Sequence, residues 1–320
     1  MRNLLEIRNL SVVISEDRRS LVNDVSFEIK PGEAIGVVGE SGSGKTLSAL
    51  SILGLLARGL KVETGEIRFK GTDLLKSSAE HLRNIRGNEI AMIYQDPMTA
   101  LNPVMKIGDQ LQEVLDSHDH QITYEKSHIL HGLAAVGIAD PDRAFDSYPH
   151  EFSGGMRQRV MIAMSLLLSP ELLIADEPTT ALDVTIQRQI LALVAKERKR
   201  RNMSMLWITH DLGVVANLVD RVIVMYAGRV VETGTVDEIF KTPKHPYTAG
   251  LLASLPAAGR DRERLESITG VPPKPWEVIS SCAFAPRCNV AKDICSSHLP
   301  EITCNGSSSV ACFFPLGAKK

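Results

Sequence analysis

The sequence predicts an α/β fold: a mixed sheet core, a helical subdomain, and an irregular, cysteine-containing C-terminal extension. Three observations carry this reading. Short apolar runs rich in β-branched residues alternate with helical periods up to about Phe240, as in a mostly parallel sheet. A glycine-rich segment joins one such run directly to a helical pattern. Between about residues 97 and 168 the strand signals vanish and helical periods take over.

The elements follow in order. Leu5 and Ile7 alternate with charged neighbours, and Val25, Phe27 and Ile29 alternate again, the pattern of half-buried strands. Pro31-Gly32 marks a turn. AIGVVG then reads as a strand buried on both faces. GESGSGKT follows at once, and LSALSILGLLA after it has a helical period. GEIRFKG and IAMIYQ are two more short strands. IGDQLQEVL typifies the helical insertion. The strand pattern returns at ELLIADEP, followed by a helix (TIQRQILALVAKERKR), a strand (MSMLWITH) and a hairpin-like VIVMYAGRVVE. KTPKHPY and GVPPKPWE are proline-rich and read as extended linkers. The core is expected to span residues 1–258, with its helical part at about 97–168, and the extension residues 259–320.

Composition removes several function classes. Among 320 residues, 36 Lys and Arg face 38 Asp and Glu, a net charge of −2, so no basic nucleic-acid footprint dominates. Aromatic residues are only 5%, too few for a stacking platform for single strands. No apolar run approaches the roughly 18 to 20 residues that cross a bilayer. MRNLLEIRNLSVV carries charges throughout and lacks the apolar stretch of a signal peptide. The expectation is a chain kept in the cytoplasm that reaches a membrane only through partners.

The chemistry starts at Gly39-Glu40-Ser41-Gly42-Ser43-Gly44-Lys45-Thr46, which fits G-x-x-x-x-G-K-[ST]. Glycines let backbone N–H groups curl around phosphates, Lys45 adds a point charge at the β/γ-phosphates, and Thr46 offers a hydroxyl to Mg²⁺. The helix that follows points its positive end at the same anion. In LLIADE, Asp176 ends an apolar strand and suits Mg²⁺, while Glu177 suits the attacking water. Ser153, Gly154 and Gly155 open a helix and so make a second anion site.

Phe152-Ser153-Gly154-Gly155-Met156-Arg157-Gln158-Arg159 resembles the signature sequence of ABC ATPases. The order of motifs is similar too: phosphate loop, Gln95 after an apolar strand, the signature, Asp176-Glu177, Ala181-Leu182-Asp183, then His210. The resemblance covers about residues 4–258. It implies an ABC-type nucleotide-binding subunit that pairs with a second one, two ATP molecules lying between phosphate loop and facing signature. It implies that Ser153, Gly154, Gly155 and Arg159 belong to the nucleotide-contacting set. It further implies that His210 contacts the γ-phosphate and that Gln95 senses Mg²⁺ and the attacking water. The adenine-stacking aromatic of the family has Ile14 at its nearest position here, so plain apolar contact would replace stacking.

Gln95-Asp96-Pro97-Met98-Thr99-Ala100-Leu101-Asn102-Pro103, Tyr148-Pro149-His150-Glu151, Lys244-His245-Pro246-Tyr247-Thr248 and Cys-x-Phe-x-Pro-Arg-Cys at 282–288 resemble the ATPases of dipeptide, oligopeptide and nickel importers. That likeness implies a second, non-identical ATPase subunit, two integral membrane permease subunits and an extracytoplasmic solute-binding protein. It places the chain at the cytoplasmic face of the inner membrane. A soluble ABC ATPase of DNA repair or of ribosomes is the competing class. The chain has neither the long heptad runs of the first nor the second phosphate loop usual in the other.

All five cysteines lie late in the chain, at Cys282, Cys288, Cys295, Cys304 and Cys312. An irregular module with little core often needs a staple, and thiolates suit iron–sulfur clusters and structural zinc. The expected ligands are Cys282, Cys288, Cys295 and Cys312, with Cys304 able to replace Cys312. The spacing differs from the Cys-x₂-Cys pairs of zinc fingers and favours a four-iron–four-sulfur cluster over zinc. Free thiols in a packed tail are the alternative.

Overall fold

Alternation between buried and exposed side chains lays down the first strands. The structure is a computed structural model and describes residues 3–95, 100–118, 125–180, 182–255, 268–274, 277 and 279–317. Twelve strands occur among these: β1 (Leu5–Ile14), β2 (Ser20–Ile29), β3 (Ala34–Val38), β4 (Leu60–Phe69), β5 (Thr72–Asp73), β6 (Ile90–Ile93), β7 (Leu172–Asp176), β8 (Ser204–Thr209), β9 (Arg221–Tyr226), β10 (Arg229–Thr235), β11 (Thr303–Asn305) and β12 (Ser308–Val310). The described helices are α1 (Lys45–Ile52), α2 (Ala79–Ile85), α3 (Ile107–Asp116), α4 (Lys126–Ala135), α5 (Pro141–Asp146), α6 (Gly154–Leu166), α7 (Val184–Arg201), α8 (Leu212–Val215), α9 (Val236–Lys241), α10 (Pro246–Ala253) and α11 (Asp293–Ser297). None is long and apolar enough to cross a membrane.

The chain divides into two compact units, one of residues 1–76 and 207–320, the other of residues 77–206. β8 crosses the division between Leu206 and Trp207.

The first unit carries an antiparallel sheet in the order β2-β1-β4-β5. β1 pairs with β2 (Ile7↔Phe27) and with β4 (Ile7↔Ile67), burying Leu5, Ile7, Leu10 and Val12. GEIRFKG is therefore the end of a ten-residue strand, because Leu60 to Thr64 also pair with β1. The second sheet of this unit runs β11-β12-β10-β9-β3. β3 is buried throughout and lies parallel to β9 (Val37↔Ile223), as its continuous apolar run requires. β9 and β10 form the expected hairpin. Its two turn residues, Ala227 and Gly228, take φ of 48° and 79°, the left-handed pair that matches strand twist.

The extension is more regular than the sequence suggests. β12 pairs with β10 (Glu232↔Val310), and β11 with β12, so the tail lengthens the sheet. The strand TCN and the strand SSV are short and mostly polar, and so carry no hydrophobic alternation. Their register comes from a Gly306-Ser307 turn and from the Thr233–Ser309 hydroxyl pair at 2.8 Å.

In the second unit β6 lies parallel to β7 (Ile90↔Leu172 to Ile93↔Ala175). The helices carry the rest. α3 buries Ile107, Leu111 and Leu115, one stripe at i, i+4, i+8. Buried Gln110 accepts from the Asn102 N–H at 2.8 Å and donates to the carbonyls of Asn102 and Met105, both at 3.0 Å, fixing the turn before α3. α6 buries Val160, Met161, Ile162 and Leu166. α7 starts on an Asp183 cap and ends in Arg198-Lys199-Arg200-Arg201, charges that suit a helix C-terminus.

Candidate nucleotide site

The glycine-rich loop belongs to the first unit. β3 ends at Val38, and the chain turns through Gly39 to Gly44 before α1 begins at Lys45. Gly44 caps the helix at φ 95°, a conformation that favours glycine. The loop is braced internally: the Ser43 N–H donates to Glu40 O at 3.2 Å, and the Gly228 N–H donates to Ser43 O at 3.1 Å. Lys45, 5% exposed, folds onto the loop, its Nζ donating to Gly39 O at 2.8 Å and Glu40 O at 2.9 Å. Ser43 Oγ lies 3.4 Å from the same Nζ. Ser41 and Gly42 lie within this turn and Thr46 in the first turn of α1.

Two further expected residues lie in this unit. Ile14 closes β1; its N–H donates to Arg19 O, and its carbonyl accepts from the Arg18 N–H, both at 2.9 Å. His210 is exposed and directly follows β8. The turn carrying it is fixed by Thr209 Oγ1, which accepts from the Asp211 N–H at 3.0 Å, and by Asp211, which caps α8.

The acidic residues belong to the second unit. Asp176 ends the fully buried β7 and is itself 4% exposed. Glu177 takes φ 44°, rare for a residue with a side chain. Strain of this kind persists where the surroundings over-determine it and clusters at functional sites. The carboxylate accepts from Thr180 Oγ1 at 3.0 Å and from Gln95 Nε2 at 3.4 Å. Gln95 thus meets Glu177, from 82 residues away in sequence. Ser153 is the N-cap of α6, its Oγ accepting from the Met156 N–H at 3.3 Å. Ser153 and Gly154 are exposed. Among the described residues, a Cβ at Gly154 would meet nothing within 4 Å, whereas one at Gly155 would lie 2.9 Å from Ile186. Arg159 faces its own unit, donating to Val136 O at 2.6 Å and Gln189 Oε1 at 2.9 Å. Asp96, Pro97, Met98, Thr99 and Ala181 lie outside the described residues.

In the tail, Cys282, Cys288, Cys295 and Cys312 line one cavity of about 20 Å³ together with Phe284, Phe313 and Phe314. Burial pushes the Cys282 and Cys288 thiols up, and Cys312 to about 11. Cys304 is exposed and does not line that cavity. The zinc alternative finds no support: among the described residues, no group of three or more His, Cys, Asp or Glu side chains is arranged to hold a metal ion. Zinc needs thiolates about 2.3 Å from one point, and these thiols do not meet so.

What sequence reasoning missed is the bracing of the loop by the tail. The Glu40 N–H donates to Tyr247 Oη at 2.9 Å, and its carboxylate is gripped by Arg287. The residues were legible in the HPYT and PRC motifs, but nothing in their spacing pointed to the loop.

The ABC transporter family profile matches residues 22–180, and one for the C-terminal region of oligopeptide/dipeptide transporters matches residues 231–295. The chain is 46% identical to the dipeptide transport ATP-binding protein DppD of Haemophilus influenzae, over 98% of this chain and 96% of that one. The chain belongs to the ABC transporter family. It is likewise 46% identical to the oligopeptide transport ATP-binding protein AppD of Bacillus subtilis, over 98% of this chain and 97% of that one. A solved ATP-binding cassette, MJ0796 in a dimeric post-hydrolysis state with ADP and Pi, shares the fold at a TM-score of 0.65 and 24% identity. It covers 72% of this chain and 98% of its own. CbiO1 of Clostridium perfringens, part of an ABC transporter complex, matches at 0.64 and 26% identity, over 76% of this chain and 92% of its own. This ABC chain is an ATPase with a mixed-sheet α/β core.

Proposed function

We propose that this ATPase powers import of di- or oligopeptides through a membrane ABC transporter. The observation that carries it is the full-length likeness to peptide-transport ATP-binding proteins, including the separate match of residues 231–295. Residues 1–258 act as the nucleotide-binding domain, with its helical part at about 97–168, and 259–320 as the importer-type extension. Two permease subunits and an extracytoplasmic binding protein complete the machine, and a second, non-identical ATPase subunit pairs with this one. The pair sits at the cytoplasmic face of the inner membrane.

The roles divide as follows. The loop Gly39–Thr46 cradles the triphosphate, with Lys45 as its cation; Thr46, Asp176 and Gln95 serve Mg²⁺. Glu177 orients and deprotonates the attacking water, and His210 contacts the γ-phosphate. Ser153, Gly154 and Gly155 offer α6 to the ATP of the facing subunit. Supporting this are the exposed signature turn and the open space above Gly154. Ile14 contacts adenine by apolar packing. Phosphoryl transfer needs positioning and charge neutralisation more than covalent chemistry, which these residue types supply. Glu177→Gln should keep ATP binding, trap the closed pair and slow turnover by about two orders of magnitude or more. Hydrolysis at the normal rate would refute the role. Lys45→Ala should weaken ATP binding itself. Crosslinks from the stretch Met98 to Val104 should reach the permease subunits.

For the tail, the finer reading is a four-iron–four-sulfur cluster. Four thiols supply its donor chemistry, and the cavity of about 20 Å³ that they line would have to widen to seat it. Cys282, Cys288, Cys295 and Cys312 would hold it, in a structural role. Anaerobically purified protein should contain iron and labile sulfide. Protein free of both, with all thiols titrating, would refute it.

A further inference from the structure

Glu40 is the second residue of the phosphate loop, and the C-terminal part of the chain holds it at two points. Its backbone N–H donates to Tyr247 Oη at 2.9 Å. Its carboxylate takes a two-pronged bond from Arg287, Nη1 to Oε2 at 2.7 Å and Nη2 to Oε1 at 2.9 Å. These residues are 247 apart in sequence, and the Arg287 side chain is only 5% exposed. Its other bonds fix it in turn: Nη1 also reaches Tyr226 Oη at 3.1 Å, and Nε donates to Thr269 O at 3.0 Å.

The setting is a packed aromatic group. Tyr226 and Tyr247 have ring centroids 4.6 Å apart, and Phe284 lies 5.4 Å from each. The guanidinium sits 5.8 Å from the Tyr226 ring and 5.9 Å from the Phe284 ring. Arg287 ends the short turn Ala285–Arg287, between Cys282 and Cys288. The same segment that carries two of the cavity-lining cysteines therefore carries the loop's clamp.

A carboxylate in a loop that receives a triphosphate is an electrostatic liability. Paired with a guanidinium it is neutralised, and the fork geometry also fixes its orientation. Removing the arginine would leave a partly buried charge uncompensated and aim repulsion at the incoming phosphates. An ordinary surface ion pair would have little such effect, but this one is enclosed and two-pronged.

We propose that Arg287 is a positioning residue of the ATP site: with Tyr247 it clamps Glu40, preforms the phosphate loop, and so makes the C-terminal segment a determinant of nucleotide affinity. The proposal rests on the reading of Gly39–Thr46 as the ATP-binding loop. Arg287 acts through Glu40 and does not itself meet the nucleotide.

The test is a double-mutant cycle on the full-length chain, read by binding of Mg²⁺-trinitrophenyl-ATP, with thermal melts alongside. Arg287→Met should weaken binding about tenfold, and Arg287→Lys about threefold. The Glu40→Gln, Arg287→Met double variant should bind more tightly than Arg287→Met alone, because the orphaned carboxylate is gone. The deficit of Arg287→Met should also shrink as salt is raised, since salt screens the repulsion. Nucleotide affinity within twofold of the unaltered protein in Arg287→Met, or losses that simply multiply in the double variant, would overturn the proposal. So would a lower melting temperature with unchanged affinity. If Arg287→Met fails to fold, Arg287→Lys decides: its loss should vanish in the Glu40→Gln background, and persistence there would overturn the clamp. Absence of nucleotide binding by the unaltered chain would instead sink the underlying reading of the loop.

Discussion

Gly39→Ala tests the loop geometry most sharply in a single methyl group. A Cβ at Gly39 would sit 2.2 Å from Met225 O and 2.8 Å from Ser43 Oγ. The serine can rotate away, but the carbonyl cannot. Met225 lies in β9, which pairs with β3 on one side and with β10 on the other. Real Cβ contacts essentially never fall below 3.0 Å, so the loop must move by about 0.8 Å to relieve a 2.2 Å approach. Overpacking of this kind destabilises by about 1–3 kcal/mol. The larger effect falls on binding, because a displacement near 1 Å in a positioned site costs about a hundredfold. Isothermal titration with Mg²⁺-ATP should show that loss, with a melting temperature lower by a few degrees. Affinity within about threefold of the unaltered chain would refute the reasoning, since the backbone would then have absorbed the methyl without moving the loop.

Gly154→Ala should leave melting and ATP binding unchanged while slowing hydrolysis at least tenfold, because its Cβ meets nothing within 4 Å among the described residues and would intrude on a facing nucleotide; unchanged hydrolysis would contradict it. Ser153→Ala removes the α6 cap and should cost about 1 kcal/mol in denaturant unfolding. Burial holds His245 down to about 4, so the folded chain binds fewer protons there than the unfolded chain between pH 4 and 6.5. Stability should therefore fall as pH drops through that window, by about 2 kcal/mol from pH 7 to 5. His245→Asn keeps a side-chain acceptor for the Tyr247 N–H and should flatten that slope in urea titrations at several pH values.

The nucleotide motifs were legible because each is contiguous. A strand, a glycine turn and a helix start succeed one another within Ala34 to Ile52, and LLIADE is a single strand with its acids attached. Ser153 could be read as a helix opener for the same reason: a cap is a local device. What could not be read were meetings between distant residues. Gln95 reaches Glu177 across 82 positions, and Arg287 reaches Glu40 across 247. No periodicity encodes such pairs. The β11–β12 pair escaped notice because its polar strands take their place from β10 instead of from their own apolar pattern. For the cysteines, count and clustering pointed to the four that share a cavity, but spacing cannot say whether thiols converge on one point.

The central claim is that ATP hydrolysis by this chain drives peptide uptake. Proteoliposomes holding the assembled transporter, with ATP inside the cytoplasmic-side compartment and a labelled dipeptide plus binding protein outside, measure it directly. Uptake should require Mg²⁺-ATP, and replacing Glu177 by Gln should abolish it while ATP remains bound. Peptide uptake that continues at the normal rate in the Glu177→Gln transporter, or no uptake of any peptide by the unaltered one, would contradict the account.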